Sequence, residues 1–264
     1  MTAPSPAART GLSSRVLLAL GVLVLGTVGA RAADDAPASR AAIAAYREAL
    51  TDWQAGHQEQ AITGFSRAAE LAPQWGAPNA RLGVIYQLQG REDDSRRQYA
   101  MTQLASLGEP GQLPEEEAKL RALALMYEAQ TIYLVNGARL EQGLPALVPD
   151  PTLAIVARRH SDEMRDKRYF SHDSPTSGLR TCQDRFLAQF GYRPRLIGEN
   201  VARRWGTLFC LTEEKIVGTH NDLMNSPGHR HNILLEDVEW LGVGISANAN
   251  GDYWLTEVFV QPGR

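Results

Sequence analysis

The end of the chain constrains the fold most strongly, because it joins two alternating apolar stretches through a turn. The stretches EWLGVGISA and YWLTEVFVQ occupy residues 239–247 and 253–261. Between them, NANGD contains Asn250 and Gly251, a pair that can supply the left-handed residues of a tight hairpin turn. The sequence therefore predicts two antiparallel strands of a sheet.

Helical patterns before this hairpin predict the layers that cover the sheet. Asp150 precedes Pro151 and an apolar stripe, which predicts a helix that begins at Pro151 with Asp150 as its N-cap. His160 falls on the same stripe and is expected to be a hydrogen-bonded core histidine. Thr212 is the expected N-cap of another helix, which runs through Leu223. Helices mixed with an antiparallel sheet predict an α+β domain.

A repeat with an offset of 34 residues is visible in residues 41–107. Gly56 precedes Gly90 and Phe65 precedes Tyr99 by this interval. The pattern resembles degenerate tetratricopeptide repeats, which pair two helices in each unit. Arrays of this kind usually need about three units to be stable, so two units are expected to pack on another part of the chain. The alternative is an ordinary pair of helical hairpins with a coincidental period.

The linker between the two regions is predicted at residues 108–115, where GEPGQLP contains two prolines and two glycines. PEEE, at 114–117, then begins a helix well, because its acidic side chains face the positive end of the helix dipole. This helix is predicted to run to about Gly137 or a few residues beyond. Residues 116–264 would form the second domain.

Residues 1–32 have the pattern of an export signal. Arg9 and Arg15 precede an apolar run at 16–29, and Ala30 and Ala32 suit a cleavage site before Ala33. Residues 33–40 would follow as a linker. The run is shorter than the roughly 20 residues of a spanning helix, so no stable membrane span is expected after cleavage, and an uncleaved anchor is the alternative. The protein is therefore predicted to be extracytoplasmic, either periplasmic or secreted.

Charge and cysteine content limit which partners and which redox state are expected. The net charge is −3 and no basic run is interleaved with aromatic residues, so nucleic acid is not an expected partner. The two cysteines of the chain, Cys182 and Cys210, are predicted to form a disulfide in an oxidising compartment. Two unpaired, buried thiols are the alternative.

Eight short motifs from about residue 120 to residue 262 follow one another in the order of a known family. This region resembles the CAP superfamily, which groups cysteine-rich secretory proteins, antigen 5 and pathogenesis-related proteins, in its bacterial secreted form with an SCP-like domain. The resemblance implies an α-β-α sandwich with a cleft where two histidines and acidic residues converge. The motifs are VNGARLEQGLPAL, HSDEM, YFSHDSP, GY, GENVA, NSPGHRHNIL, LGVGI and YWLTEVF.

The resemblance assigns the cleft to His172 of YFSHDSP, Glu199 of GENVA and His229 of NSPGHRHNIL. These three are the expected ligand-binding residues, the candidate catalytic residues and the candidate metal ligands. Two neutral imidazoles and a carboxylate can hold Zn²⁺ or another divalent cation and leave a position open for water. The alternative is a hydrogen-bonded cluster that holds loops in place and binds no metal. Arg230 and His231 are not expected to face the cleft.

The chain departs from the family pattern at three positions. Leu223 and Ser226 stand where animal and plant members carry a tryptophan and a second cleft glutamate. Glu257 stands where relatives commonly carry glutamine, and its relation to the cleft is open. GENVA also has a purely structural interpretation, in which Gly198 allows a tight turn and Asn200 hydrogen-bonds a neighbouring loop.

The leading functional hypothesis is an exported protein that binds a small apolar, lipid-like or cell-envelope ligand in the His/Glu/His cleft. In this hypothesis the helical repeats dock a protein partner. One alternative is a metal-assisted hydrolase, such as a peptidase of the cell envelope, and whether the protein is an enzyme stays open. Another is an interaction scaffold in which the repeats are the functional part.

Overall fold

The computed structural model describes residues 38–107, 114–206 and 208–263. The predicted export signal at 1–32 and most of the linkers at 33–40 and 108–115 lie outside these residues. From residue 38 onward, the described residues belong to one compact unit. Its division into a repeat region and a second domain stays a prediction.

Four helices form two hairpins in the first part of the described chain. They are α1 (Arg40–Gln54), α2 (Gln58–Leu71), α3 (Gly76–Leu88) and α4 (Glu92–Ala105). Gly56 and Gly90 lie in the turns of the two hairpins with φ of 81° and 70°, and Phe65 and Tyr99 are both fully buried. Residues 34 apart therefore occupy equivalent positions in the two hairpins. That these hairpins are tetratricopeptide repeats stays a prediction.

The two hairpins pack on the rest of the chain through buried polar contacts. Helix α5 (Glu115–Glu141) carries Glu128, whose carboxylate is fully buried. Arg158 donates to it at 3.0 and 2.5 Å, and the Ile245 backbone N–H donates at 2.8 Å. Gln103 on α4 donates to the same carboxylate at 3.1 Å and to the Val243 carbonyl at 2.9 Å. The helical region is thus bonded directly to the sheet.

The remaining elements form the sheet and its covering helices. The caps are as predicted, since the Asp150 carboxylate accepts the Leu153 N–H at 2.7 Å and the Thr212 hydroxyl accepts the Lys215 N–H at 3.4 Å. The elements are β1 (Val148–Pro149), α6 (Pro151–Asp166), α7 (Cys182–Phe190), β2 (Leu196–Arg204), α8 (Glu213–Asn225), α9 (Pro227–Ile233), β3 (Trp240–Ala247) and β4 (Tyr253–Gln261).

The sheet is mixed, with strand order β1-β3-β4-β2. Strands β3, β4 and β2 are antiparallel neighbours, whereas β1 runs parallel to β3, which corrects the purely antiparallel prediction. The β3–β4 turn uses Gly251 at φ 78°, while Asn250 does not take a left-handed conformation. It does not need to, because the Asn248 side chain accepts the backbone N–H groups of Asn250 and Asp252 at 3.0 Å each.

Helices cover both faces of the sheet. Helix α6 lies so close to β3 that a Cβ atom at Gly244 would be 2.1 Å from the backbone nitrogen of Arg158. On the other face, the Tyr253 hydroxyl hydrogen-bonds Thr219 of α8 at 2.7 Å, and α9 packs beside it. The α-β-α sandwich and the α+β class are therefore confirmed. Among the described helices, none has the length and hydropathy needed to cross a membrane.

The predicted disulfide is wrong in this structure. Cys182 and Cys210 both lie in the described part of the chain, and neither is bonded. Cys182 lies beside Glu199, whereas Cys210 follows the other end of β2 and donates its thiol to the Leu208 carbonyl at 3.2 Å. From Glu199 to the end of β2 at Arg204 is about 17 Å of strand, at roughly 3.3 Å per residue, which far exceeds what a disulfide spans.

Candidate functional site

The cleft residues meet at β2, which is an edge strand of the sheet. Successive residues of a strand point to opposite faces. Glu199 points to the face of α6 and α7, where it meets Arg185. Asn200 points to the other face, where it reaches the backbone of His229 on α9. Helices on both faces can therefore present side chains to one short stretch of the edge.

The Glu199 carboxylate is bound through both of its oxygens. The His172 Nδ1–H donates to Oε1 at 2.9 Å, and Arg185 donates to Oε2. The Glu199 side chain is 5% exposed. Burial alone would raise its pKa, but the bond from His172 and the charge of Arg185 outweigh burial, so the pKa of Glu199 is lowered. The carboxylate is therefore held in its charged form.

The two predicted histidines are both at least partly exposed to solvent. His172 follows α6 on a loop, and its side chain is 54% exposed. The hydrogen bond to Glu199 raises the pKa of His172. His229 is near the start of α9, where partial burial and the charge of His172 lower its pKa. The structure thus brings His172 into contact with Glu199 and places His229 within range of the charge of His172. Arg230 and His231 are exposed.

Arg185 is a residue of this site that the sequence did not indicate. Its Nη1 donates to the carbonyl groups of His172, Leu179 and Arg180 at 3.2, 3.3 and 3.0 Å, while Nη2 holds Glu199. The helix that carries it begins at a Thr181 capping box. A sequence signal existed, because Arg185 shares the inward stripe of α7 with Phe186, and a charged residue on such a stripe needs a buried partner.

His160 is a buried histidine that contacts the loop before His172. It is buried, as predicted, and its Nε2–H donates to the Ser171 carbonyl at 3.0 Å, next to His172. Its Nδ1 atom has no hydrogen-bond partner among the described residues. Burial, and then the charge of Arg185, lower the pKa of His160. His160 is therefore held neutral and positions the loop that carries His172.

Behind the edge strand, two asparagines and Glu257 form a buried network. Asn200 Nδ2 donates to the His229 carbonyl at 3.2 Å and to Glu257 Oε2 at 3.0 Å. Asn232 Nδ2 donates to Asn200 Oδ1 at 2.9 Å and to the Glu199 carbonyl at 3.0 Å. Glu257 is fully buried, so it lies behind the cleft and does not line it.

Gly198 lies within β2 and does not form the tight turn considered for GENVA. A Cβ atom there would lie 3.0 Å from Asn232 Oδ1. The glycine therefore leaves room for the asparagine network beside it.

The described side chains do not fit the expected Zn²⁺ site. Both oxygens of Glu199 already accept hydrogen bonds, one from His172 and one from the Arg185 guanidinium. A divalent cation on this carboxylate would have to displace the guanidinium or lie against its charge. Within the described ranges, no group of three or more His, Cys, Asp or Glu side chains is arranged to hold a metal ion. The metal site stays a prediction that this arrangement does not favour.

An apolar surface lies on the loop that follows β2, away from the histidines. Trp205 and Leu208 are 66% and 80% exposed, and Phe209 beside them is 44% exposed. These side chains border an open cavity of about 480 Å³, whose other wall is α8 with Lys215 and Asp222. We call this feature the 205–209 cavity. The sequence placed the apolar ligand in the histidine cleft, but these apolar groups are elsewhere.

Comparison with known proteins identifies the sandwich region. Residues 132–261 match the family model of the cysteine-rich secretory protein family, CAP. The uncharacterized protein YkwD of Bacillus subtilis (strain 168) is 37% identical over 134 residues, 51% of this chain and 47% of that protein. The uncharacterized membrane protein YlbC of the same organism is 31% identical over 150 residues, 57% of this chain and 40% of that protein.

Among solved structures, a crystal structure of an extracellular protein containing an SCP domain from Bacillus anthracis (strain Ames) is similar. It is 34% identical with a TM-score of 0.47, and the match covers 58% of this chain and 45% of that chain. The chain thus spans less than half the length of each of these three relatives.

Proposed function

Residues 132–261 form a CAP domain of the cysteine-rich secretory protein family, and on that premise we propose that the protein binds a small apolar, lipid-like ligand outside the cytoplasm. The observation that carries the proposal is the 205–209 cavity, where Trp205, Leu208 and Phe209 expose large apolar surfaces on one short loop. Contiguous exposed apolar surface of this kind marks binding sites in soluble domains.

The size and lining of the cavity agree with this class of ligand. Its volume of about 480 Å³ falls within the roughly 300–1,000 Å³ of small-molecule sites. The rim is polar, because Arg204 pairs with Asp222 and Lys215 lies beside them. An amphipathic molecule could bury its apolar part against the loop and keep its polar group at this rim.

Hydrolysis is the second candidate, and the cleft gives it less support. A general base must accept a proton from water at the working pH. Glu199 is poorly suited to this role, because its pKa is lowered and Arg185 and His172 occupy both oxygens. A turnover assay on envelope peptides with His172→Ala and His229→Ala tests this candidate. Activity in the wild type that both substitutions abolish would favour it over a binding role.

A protein partner for the helical region is a further part of the proposal. The hairpins are bonded to the sandwich through Gln103 and Glu128, so binding should be tested with the whole chain from residue 33. A partner retained by the whole chain, and lost on substitutions in α1 or α2 that leave the fold intact, would support it.

The main test is a binding titration of the mature protein with cis-parinaric acid, a fluorescent fatty acid, together with mass spectrometry of lipids that co-purify. Burying a leucine side chain is worth about 1.5–3 kcal/mol, so Leu208→Ser should weaken binding by about tenfold or more. Leu88→Ser is the matched control, because Leu88 is an exposed leucine on α3. Equal affinities for wild type and Leu208→Ser, or the absence of saturable binding, would overturn the proposal.

A further inference from the structure

Glu257 is a buried acid that the proposed ligand site does not use. It lies at the centre of β4, paired in register with Asn200 on β2 and Val243 on β3. Its Oε2 accepts the Asn200 side chain, and its Oε1 has no hydrogen-bond partner among the described residues. A buried carboxylate with one polar contact is costly to maintain, so its presence needs an explanation.

The hydrogen bonds around Glu257 leave little freedom to the two amides. Asn200 uses both Nδ2 hydrogens, on Glu257 and on the His229 carbonyl. Asn232 also uses both of its hydrogens, on Asn200 Oδ1 and on the Glu199 carbonyl. Because an amide nitrogen can only donate, these acceptors fix which way each side chain faces. The orientation of Asn200 therefore depends on an acceptor at position 257.

We propose that Glu257 is a positioning residue of the cleft, which orients Asn200 and so fixes His229 of α9 against the strand that carries Glu199. The chain of contacts runs from Glu257 to Asn200, and from there to the His229 carbonyl directly and to the Glu199 carbonyl through Asn232. Both backbone segments that present the site are thus held by one buried acceptor.

The charge of Glu257 has no basic partner among the described residues. Its strand neighbours are Asn200 and Val243, and α9 presents the His229 backbone carbonyl to Asn200. Burial raises the pKa of Glu257 to about 7, and the Asn200 bond opposes this rise. The hydrogen bond that Glu257 accepts from Asn200 should therefore change in strength with pH across the neutral range, because a carboxylate accepts more strongly than a neutral acid.

The Asn200 side-chain amide reports this contact directly by nuclear magnetic resonance. In the whole chain, we expect its ¹H and ¹⁵N signals to shift with a midpoint near pH 7 between pH 5 and pH 8.5. In Glu257→Gln the transition should be lost, since glutamine keeps an acceptor but does not titrate. Asn136 is the internal control, because it is buried and donates to Tyr99 and to the Leu147 carbonyl, so its signals should not titrate.

A second arm separates positioning from a general structural role. Glu257→Leu removes the acceptor, so the pKa of the His229 ring should move toward that of a free histidine, and Glu257→Gln should restore it. If Glu257→Leu does not fold, Asn232→Ala cuts the link to Glu199 and should move the pKa of His229 in the same direction. A transition that persists at Asn200 in Glu257→Gln, or an unchanged pKa of His229 in the acceptor-free variant, would overturn the proposal.

Discussion

Arg185 joins the Glu199 carboxylate to the loop that carries His172. One of its terminal nitrogens holds the carboxylate, and the other donates to the His172, Leu179 and Arg180 carbonyl groups. The buried guanidinium therefore compensates the buried acid and fixes the position of the exposed imidazole. Both functions can be measured by removing the charge.

We expect Arg185→Gln to lower the free energy of unfolding by about 3–5 kcal/mol, because it leaves a buried carboxylate without its charged partner. It should also raise the pKa of His172, since the charge of Arg185 lowers it. Urea unfolding and histidine titration by nuclear magnetic resonance measure the two effects. Arg180→Gln is the control: Arg180 is exposed and pairs with exposed Asp173, so the change should stay within about 0.5 kcal/mol. Equal losses from the two substitutions would contradict this account.

Calorimetry should detect no saturable Zn²⁺ binding to the cleft at pH 7.5. The reason is that both carboxylate oxygens of Glu199 already accept hydrogen bonds, from His172 and from Arg185. Saturable heat that disappears in His172→Ala would contradict this expectation and restore the metal site predicted from the sequence.

The pH dependence of stability should change in Glu257→Gln. The pKa of Glu257 is raised to about 7 in the fold from an ordinary 4.5, so the native state keeps a proton that the unfolded chain has lost. The stabilisation is fully present below pH 4.5 and is lost as the pH rises through 7, by up to about 3 kcal/mol.

Urea unfolding of the wild type should therefore show a decline between pH 5 and pH 8 that Glu257→Gln lacks. Parallel stability curves for the two proteins would contradict the assignment of this decline to Glu257.

Reductant should leave the melting temperature unchanged, because Cys182 and Cys210 are separate thiols. A disulfide closing such a loop would contribute on the order of 3 kcal/mol, or roughly 6–12 °C in a chain of this size. Scanning calorimetry with and without reductant, and thiol counting in denaturant, give the answer. Fewer than two reactive thiols in the unfolded monomer would show that the disulfide between Cys182 and Cys210 forms.

Glu128→Ala should destabilise the helical hairpins and the sheet together. The substitution leaves Arg158 buried without its partner and frees Gln103, so a loss of about 3–5 kcal/mol is expected. Glu117→Ala is the control on the same helix, since Glu117 is exposed. Thermal unfolding followed by circular dichroism and by tryptophan fluorescence should give one shared transition. Two separate transitions would show that the hairpins fold independently.

The parts of the fold that the sequence predicted are those that local rules determine. The caps at Asp150 and Thr212 depend on contacts within one turn. The β3–β4 hairpin depends on alternation around a single turn. The histidines and Glu199 were located through family motifs; His172 and Glu199 are in contact, and the roles of the three residues stay a prediction.

The features that the sequence left open, missed or predicted wrongly depend on contacts between distant parts of the chain. The acceptor role of Glu257 follows from its pairing with Asn200, 57 residues earlier, which no local pattern specifies. The disulfide was inferred from the expected compartment, which carries no information about the distance between two thiols. The apolar loop at Trp205 and Leu208 resembles an ordinary connection until the exposure of its side chains is known.

The close approach at Gly244 limits how this chain can change by mutation. Replacing one hydrogen of Gly244 with a methyl group would drive it into the backbone at Arg158, so α6 would have to lift away from the sheet. Arg158 would then lose its hydrogen bond to the Glu128 carboxylate. One of the buried links between the helical hairpins and the sandwich thus depends on the absence of a side chain at position 244, so we expect substitutions there to be poorly tolerated.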